Sequence, residues 1–151
     1  VDGAVLDLPL SIPNLERAVY VWAQSKHERP VPWGLNDPMP QTLRVNQLTQ
    51  TLVKIEATRA RELPILLPEL ELVIASRNLS RVGYRYIVVH RRFYPAFKAD
   101  QVEHLLTALL GKPILSDAGT VLLYALPDLQ AKTVDTGDES AERMDIPGVP
   151  Q

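Results

Sequence analysis

The sequence contains no cysteine among its 151 residues. This absence excludes disulfide bonds, thiol catalysis and thiolate metal sites, but it leaves the compartment open because oxidising compartments also hold cysteine-free proteins. Long apolar runs are missing as well, since the longest have four to six residues and a membrane-spanning helix needs roughly 20. No segment of the sequence is therefore predicted to cross a bilayer.

Strong charge of either sign is also lacking, because the formal net charge is only −2. Residues 128–151 hold six acids and two bases, a net charge of −4 that leaves +2 for residues 1–127. Nucleic-acid-binding domains usually carry a pronounced basic surface, so we expect no nucleic-acid partner. We predict one domain over residues 1–127, which is long enough to bury a core, and a flexible acidic tail over 128–151.

Strand-like and helix-like patterns alternate before the tail. The predicted strands are 4–10, 84–90, 112–116 and 120–126, and the predicted helices are 14–24, 41–61, 68–82 and 100–110. The last helix is predicted to start in a capping box at Asp100 and to bury its leucines. The sequence predicts a single α/β domain whose mixed sheet has parallel first and central strands and a C-terminal antiparallel hairpin, with helices packed on the sheet.

Familiar catalytic and cofactor motifs are absent. The sequence has no phosphate-binding loop, no GxGxxG, no HExxH and no GxSxG. The three histidines, His27, His90 and His104, are too far apart for a spacing-based metal motif. Asp7 lies inside an apolar strand and is a candidate buried acid, but the sequence fixes no second carboxylate beside it. We expect no catalytic constellation, cofactor or metal site in this chain.

The first candidate ligand site is His90-Arg91-Arg92, at the carboxyl end of the predicted central strand. Open α/β sheets usually bind their ligands at that end, and two arginines beside an imidazole can hold a phosphate or a carboxylate. The alternative is that His90 occupies a hydrogen-bonded boundary position while both arginines are solvated. The alternation along the strand favours the second interpretation.

The second candidate is the loop "SKHERPVPWG" over residues 25–34, which presents His27, Arg29 and Trp33. Its prolines prevent a helix from running through it, and a stiff loop with an aromatic face is a reasonable platform for a sugar or a peptide. The alternative is that Trp33 covers the core and the loop only connects two helices. The sequence favours the connecting role.

Several short patterns together resemble a known kind of domain. They are the opening "VLDLPL", the block "YVWAQSKHERPVPWG", the strand "VGYRYIVVH" and the final "LGKPILSD". The combination resembles the soluble extracytoplasmic C-terminal domain of bacterial multi-spanning membrane proteins of the C-type glycosyltransferase superfamily and their relatives. The resemblance covers roughly residues 4–127, and this chain departs from it at Glu28, where the pattern has a small residue. The matching positions are Leu6, Asp7, Leu8, Pro9, Tyr20, Gln24, His27, Pro30, Gly34, Gly83, Tyr86, His90, Gly111, Pro113 and Asp117.

The resemblance implies that any catalytic acids lie in membrane-embedded loops outside this piece. It implies a non-catalytic accessory domain at the periplasmic face, with the membrane-embedded remainder of the parent chain as its partner and a saccharide or polyprenyl-phosphate-linked substrate as its ligand. It adds Gln24 to the candidate binding residues of the loop.

Two alternatives remain open from the sequence. One is a small soluble enzyme that acts on an anionic substrate, with His90 as acid/base and Arg91 and Arg92 as clamps. The other is a structural module that oligomerises through an exposed sheet edge.

Overall fold

The computed structural model describes residues 3–12, 14–31, 37–59 and 69–127. Three predictions lie outside these ranges: the placement of Trp33, the start of the third predicted helix at Pro68, and the acidic tail at 128–151.

The described residues form one four-stranded mixed sheet with the strand order β1-β2-β4-β3. Its strands are β1 Ala4–Leu8, β2 Tyr84–His90, β3 Leu115–Asp117 and β4 Val121–Ala125. Strand β1 runs parallel to β2, while β4 runs antiparallel to both β2 and β3. This confirms the predicted α/β class, the parallel first and central strands and the C-terminal hairpin. Strand β3 begins later than predicted, because Pro113 has no N–H to contribute to a ladder.

Helix α1 spans Asn14–His27 and is longer than predicted. The sequence placed its end at Gln24 and assigned residues 25–34 to a loop, but the first three of these continue the helix. Glu28 is the first residue after the helix, and its φ of +55° is in the left-handed region. Its N–H donates to Gln24 O at 2.7 Å. A left-handed residue after a helix favours glycine, which gives a physical reason for the small residue of the pattern at this position.

The helix predicted over 41–61 is two helices, so that prediction was wrong. Helix α2 spans Gln41–Arg44 and helix α3 spans Gln47–Ala57. Between them Asn46 is extended, and its side chain accepts from the N–H groups of Leu48 and Thr49 at 3.0 and 3.1 Å. Asparagine competes well for this N-cap position, and its Nδ2 also donates to Ala75 O at 2.9 Å.

Helix α4 spans Glu69–Arg81 and helix α5 spans Ala96–Leu110. Helix α5 begins four residues before the predicted capping box at Asp100, so that start was wrong; Pro95 occupies the N-cap position, and the Asp100 carboxylate binds Arg91 instead. Both helices end as predicted before a glycine with positive φ, Gly83 at +105° and Gly111 at +86°.

The two faces of the sheet have different cover. Leu6 and Leu8 of β1 and Ile87 and Val89 of β2 are fully buried in the apolar core. Helices α2 to α5 and strand β4 supply most of the rest of that core. Of the predicted leucines of α5, Leu105 and Leu106 are buried in it, whereas Leu109 and Leu110 are partly buried against it. The opposite face of β2 carries Tyr86, Val88 and His90, because successive side chains on a strand alternate. The candidate residue His90 therefore lies on the face away from the main core.

Candidate functional site

His90 and Asp7 form a buried pair at the carboxyl ends of β1 and β2. Asp7 is paired in register with Val88, and His90 follows Val88 by two residues, so all three side chains lie on one face of the sheet. The Nε2 atom of His90 is 2.8 Å from Oδ1 of Asp7. Asp7 is 5% exposed and His90 is 7% exposed. The boundary interpretation predicted a hydrogen bond for His90, but sequence reasoning did not identify Asp7 as its partner.

Aromatic rings enclose the imidazole of His90. Tyr20 of α1 stacks on it with a centroid separation of 4.8 Å and an interplanar angle of 25°. Phe93 lies beside both rings, at 5.9 Å from His90 and 6.1 Å from Tyr20. The hydroxyl of Tyr20 donates to Pro9 O at 3.1 Å. We call Asp7, Tyr20, His90 and Phe93 the clamp, because they join α1 to both parallel strands.

One atom of the clamp is not satisfied by the part of the chain that the structure describes. The second carboxylate oxygen of Asp7, Oδ2, is buried and has no hydrogen-bond partner there. An unpaired buried acceptor costs about 1–3 kcal/mol. Because this oxygen belongs to a carboxylate, it also disfavours an anion beside His90.

Arg91 and Arg92 follow His90 in a single 3-10 turn, Arg91–Phe93. Arg91 donates from Nη2 to Asp100 at 2.6 Å and from Nη1 to Glu103, so two carboxylates of α5 occupy its guanidinium. Arg92 is exposed and lies 4.7 Å from the ring centroid of Phe93. The three residues do not converge on one point, since His90 is directed into the clamp while Arg91 is held by α5. Their role in ligand binding stays a prediction.

The second candidate site begins on α1. Gln24 lies in the last turn of the helix and is partly buried, and His27 is the final helical residue. The guanidinium of Arg29 stacks over the ring of Tyr86 at 4.7 Å, and the carbonyl of Pro30 accepts from Val5 N–H at 3.0 Å. The loop is thus tied to β1 and β2 on the face that also carries His90. Trp33 lies outside the described residues.

A second polar cluster, which sequence reasoning missed, surrounds Glu56 at the end of α3. Its carboxylate accepts from the N–H groups of Leu10 and Ser11 at 2.8 and 2.7 Å and from the hydroxyl of Tyr94 at 2.9 Å. Lys98 donates to the carbonyl oxygen of Glu56. These bonds connect the chain segments that follow β1 and β2, and no sequence spacing signals them because the partners lie about forty residues from Glu56.

Burial dominates the electrostatics of this cluster. It raises the pKa of Glu56 above 4.5, although the hydrogen bonds from Ser11, Leu10 and Tyr94 partly oppose the shift. Burial and the adjacent carboxylate also raise the pKa of Tyr94 far above its ordinary value, so its hydroxyl remains a donor at any physiological pH.

Nowhere in the four described ranges do three or more histidine, aspartate or glutamate side chains group in a way that suits a metal ion. Likewise, no helix within those ranges is long and apolar enough to cross a membrane.

Comparison with family models, with curated proteins and with solved structures gave no match for this chain.

Proposed function

We propose that this chain is a non-catalytic accessory domain of a membrane protein that resembles the C-type glycosyltransferases. It lies at the extracytoplasmic face, contacts the membrane-embedded remainder of the parent chain and contributes to binding of a saccharide or polyprenyl-phosphate-linked acceptor. The observation that carries the proposal is the clamp: three of its residues, Asp7, Tyr20 and His90, belong to the pattern and meet in one buried cluster, and the Tyr20 hydroxyl donates to the carbonyl of Pro9, a fourth residue of the pattern.

This convergence supports a structural role for the pattern. The imidazole of His90 and the carboxylate of Asp7 are the groups best suited to catalysis, but they are hydrogen-bonded to each other and buried, and aromatic rings pack against the imidazole. Gly83 and Gly111, two further positions of the pattern, have the positive φ values that their turns require. In this proposal the residues of the pattern stabilise the fold, and the catalytic groups of the parent protein lie outside this domain, as in an accessory domain.

The small-enzyme alternative is favoured by one observation. A carboxylate that orients an imidazole is the arrangement that general bases use, and Asp7 and His90 have it. Against an anionic substrate stand the unpaired Oδ2 of Asp7 and the two carboxylates that neutralise Arg91. This alternative predicts a turnover that is lost in His90→Gln while the fold is retained.

The oligomerisation alternative rests on the sheet edge at β3. Ile114 and Leu115 are 60% and 53% exposed there, but the edge strand has only three residues and offers few backbone groups to a second copy. Light scattering that finds a monomer at high concentration counts against this alternative.

The membrane assignment is tested with the whole gene product that contains this chain, tagged at its C-terminus. We expect it in the membrane fraction, resistant to alkaline carbonate, and we expect protease added outside intact spheroplasts to digest the tagged domain while a cytoplasmic marker survives. Recovery in the carbonate supernatant, or protection of the tag until the cells are lysed, contradicts the proposal.

The acceptor contribution is tested in the same membranes. Gln24→Ala and His27→Ala should raise the KM for the acceptor with little change in kcat. Ser25→Ala is the matched control on α1, because its exposed hydroxyl bonds only within the helix, to Trp22 O. Equal KM values in all three variants contradict the acceptor role.

A further inference from the structure

An apolar pocket lies beside α2 and α3, apart from both candidate sites. It has a volume of about 440 Å³, within the range of small-molecule sites, and its lining surface is almost entirely apolar. Met39 and Val53 form walls that pack against the core behind them. The residues that line the pocket are Met39, Arg44, Thr49, Gln50, Val53 and Lys54.

The two charged residues in the described lining of this pocket are both cations. Arg44 and Lys54 are exposed, and the described lining includes no carboxylate. Within the described ranges the ammonium of Lys54 forms no ion pair, and the guanidinium of Arg44 makes one hydrogen bond, from Nη2 to Met39 O at 3.1 Å. Four of the five N–H donors of Arg44 therefore remain available.

Hydrogen bonds hold the backbone beside Arg44 in place. Gln50 donates from Nε2 to Arg44 O at 3.0 Å, and the same turn is held by the Asn46 cap of α3. Lys54 lies one helical turn after Gln50, and Arg44 and Lys54 both line the pocket. Thr49 is buried in the wall.

We propose that this pocket binds an anionic amphiphile. The apolar chain lies against Met39 and Val53, and the anionic head lies between Arg44 and Lys54. Charge complementarity carries the proposal, because two cations without an acidic neighbour in the lining border a cavity whose walls are apolar. The head is a phosphate or a carboxylate, and the inference does not depend on the proposed function, since none of the described residues of the clamp or the loop lines this pocket.

The test is isothermal titration of the full chain with octyl phosphate and with octanoate below their micellar concentrations. Octanol and octyltrimethylammonium serve as neutral and cationic controls of the same chain length. We expect saturable binding of one anion per chain, with both controls about tenfold weaker or more, because a charge-assisted hydrogen bond contributes this much. Tighter binding of octyl phosphate identifies the head as a phosphate, and tighter binding of octanoate identifies it as a carboxylate.

Two variants locate the site. Arg44→Gln and Lys54→Gln change exposed side chains and should each weaken anion binding about tenfold, whereas Lys112→Gln, an exposed cation outside the pocket, should leave it unchanged. The absence of saturable anion binding overturns the proposal. So do equal affinities for octanol and the anions, or an equal loss in Lys112→Gln.

Discussion

The buried pair of Asp7 and His90 should make a large contribution that depends on both partners. In His90→Phe the ring that packs against Tyr20 and Phe93 is kept, but Asp7 loses the contact that now lies at 2.8 Å. Both its oxygens are then unpaired in a site that is 5% exposed. Leaving a buried polar group without its partner costs about 1–3 kcal/mol, and more for a charged group, a large share of the roughly 5–15 kcal/mol that stabilises a domain.

Removing the charge of Asp7 at the same time should recover part of this loss. Asp7→Asn alone keeps an acceptor for His90 and should cost about 1–2 kcal/mol. In the double variant that combines His90→Phe with Asp7→Asn, no carboxylate is left buried at this site. Its loss of unfolding free energy should therefore be smaller than the sum of the two single losses by about 2 kcal/mol. Equilibrium urea unfolding, followed by far-UV circular dichroism, measures all three differences.

Additive costs refute this reasoning. If the double variant loses the sum of the single losses to within about 0.5 kcal/mol, or if His90→Phe costs less than about 1 kcal/mol, the pair does not act as a coupled buried unit. The clamp would then owe its strength to ring packing alone.

Three further predictions concern stability. Glu28→Gly should raise the free energy of unfolding by about 1 kcal/mol in urea, since the φ of +55° is unstrained in glycine; a loss of stability contradicts the cap geometry. Asn46→Ala should cost about 2 kcal/mol, because the N-cap and the bond to Ala75 O both disappear, while Asn78→Ala, at an exposed site of α4, should cost under about 0.5 kcal/mol. Because the pKa of Glu56 is raised, the native state still holds the Glu56 proton above pH 4.5, where the unfolded chain has lost it. The contribution of this proton to the free energy of unfolding is therefore fully present below pH 4.5 and is lost as pH rises through the native pKa. Glu56→Gln should remove this part of the dependence of stability on pH, and an unchanged dependence contradicts the raised pKa.

The fold was largely predictable because its signals are local. The β-branched run of β2, the short turn of the hairpin and the glycines after α4 and α5 all act within a few residues. The errors in helix boundaries occur where a side chain makes a hydrogen bond that the apolar spacing does not signal, as Asn46 does at the start of α3. The sequence predicts a capping box at Asp100, but the carboxylate of Asp100 accepts a hydrogen bond from Arg91 instead.

The candidate site was less predictable, because its contacts cross the sheet. Asp7 and His90 are separated by 83 residues in sequence, and only the parallel register of β1 and β2 brings them together. A polar residue inside an apolar strand was the available signal for Asp7, but it does not name a partner. Glu56 gave no signal at all, since a glutamate near the end of an amphipathic helix is typical of a solvated position.

The most direct test of the central claim, that the clamp supports the fold and performs no chemistry, is the sugar-transfer rate of the proposed membrane-embedded parent chain carrying Asp7→Asn. The rate is expressed per folded molecule, with the folded fraction measured in the same sample. The account predicts a rate within about twofold of the unmodified chain. A drop of about 100-fold or more in a folded protein, the effect expected when a general base is lost, would contradict it.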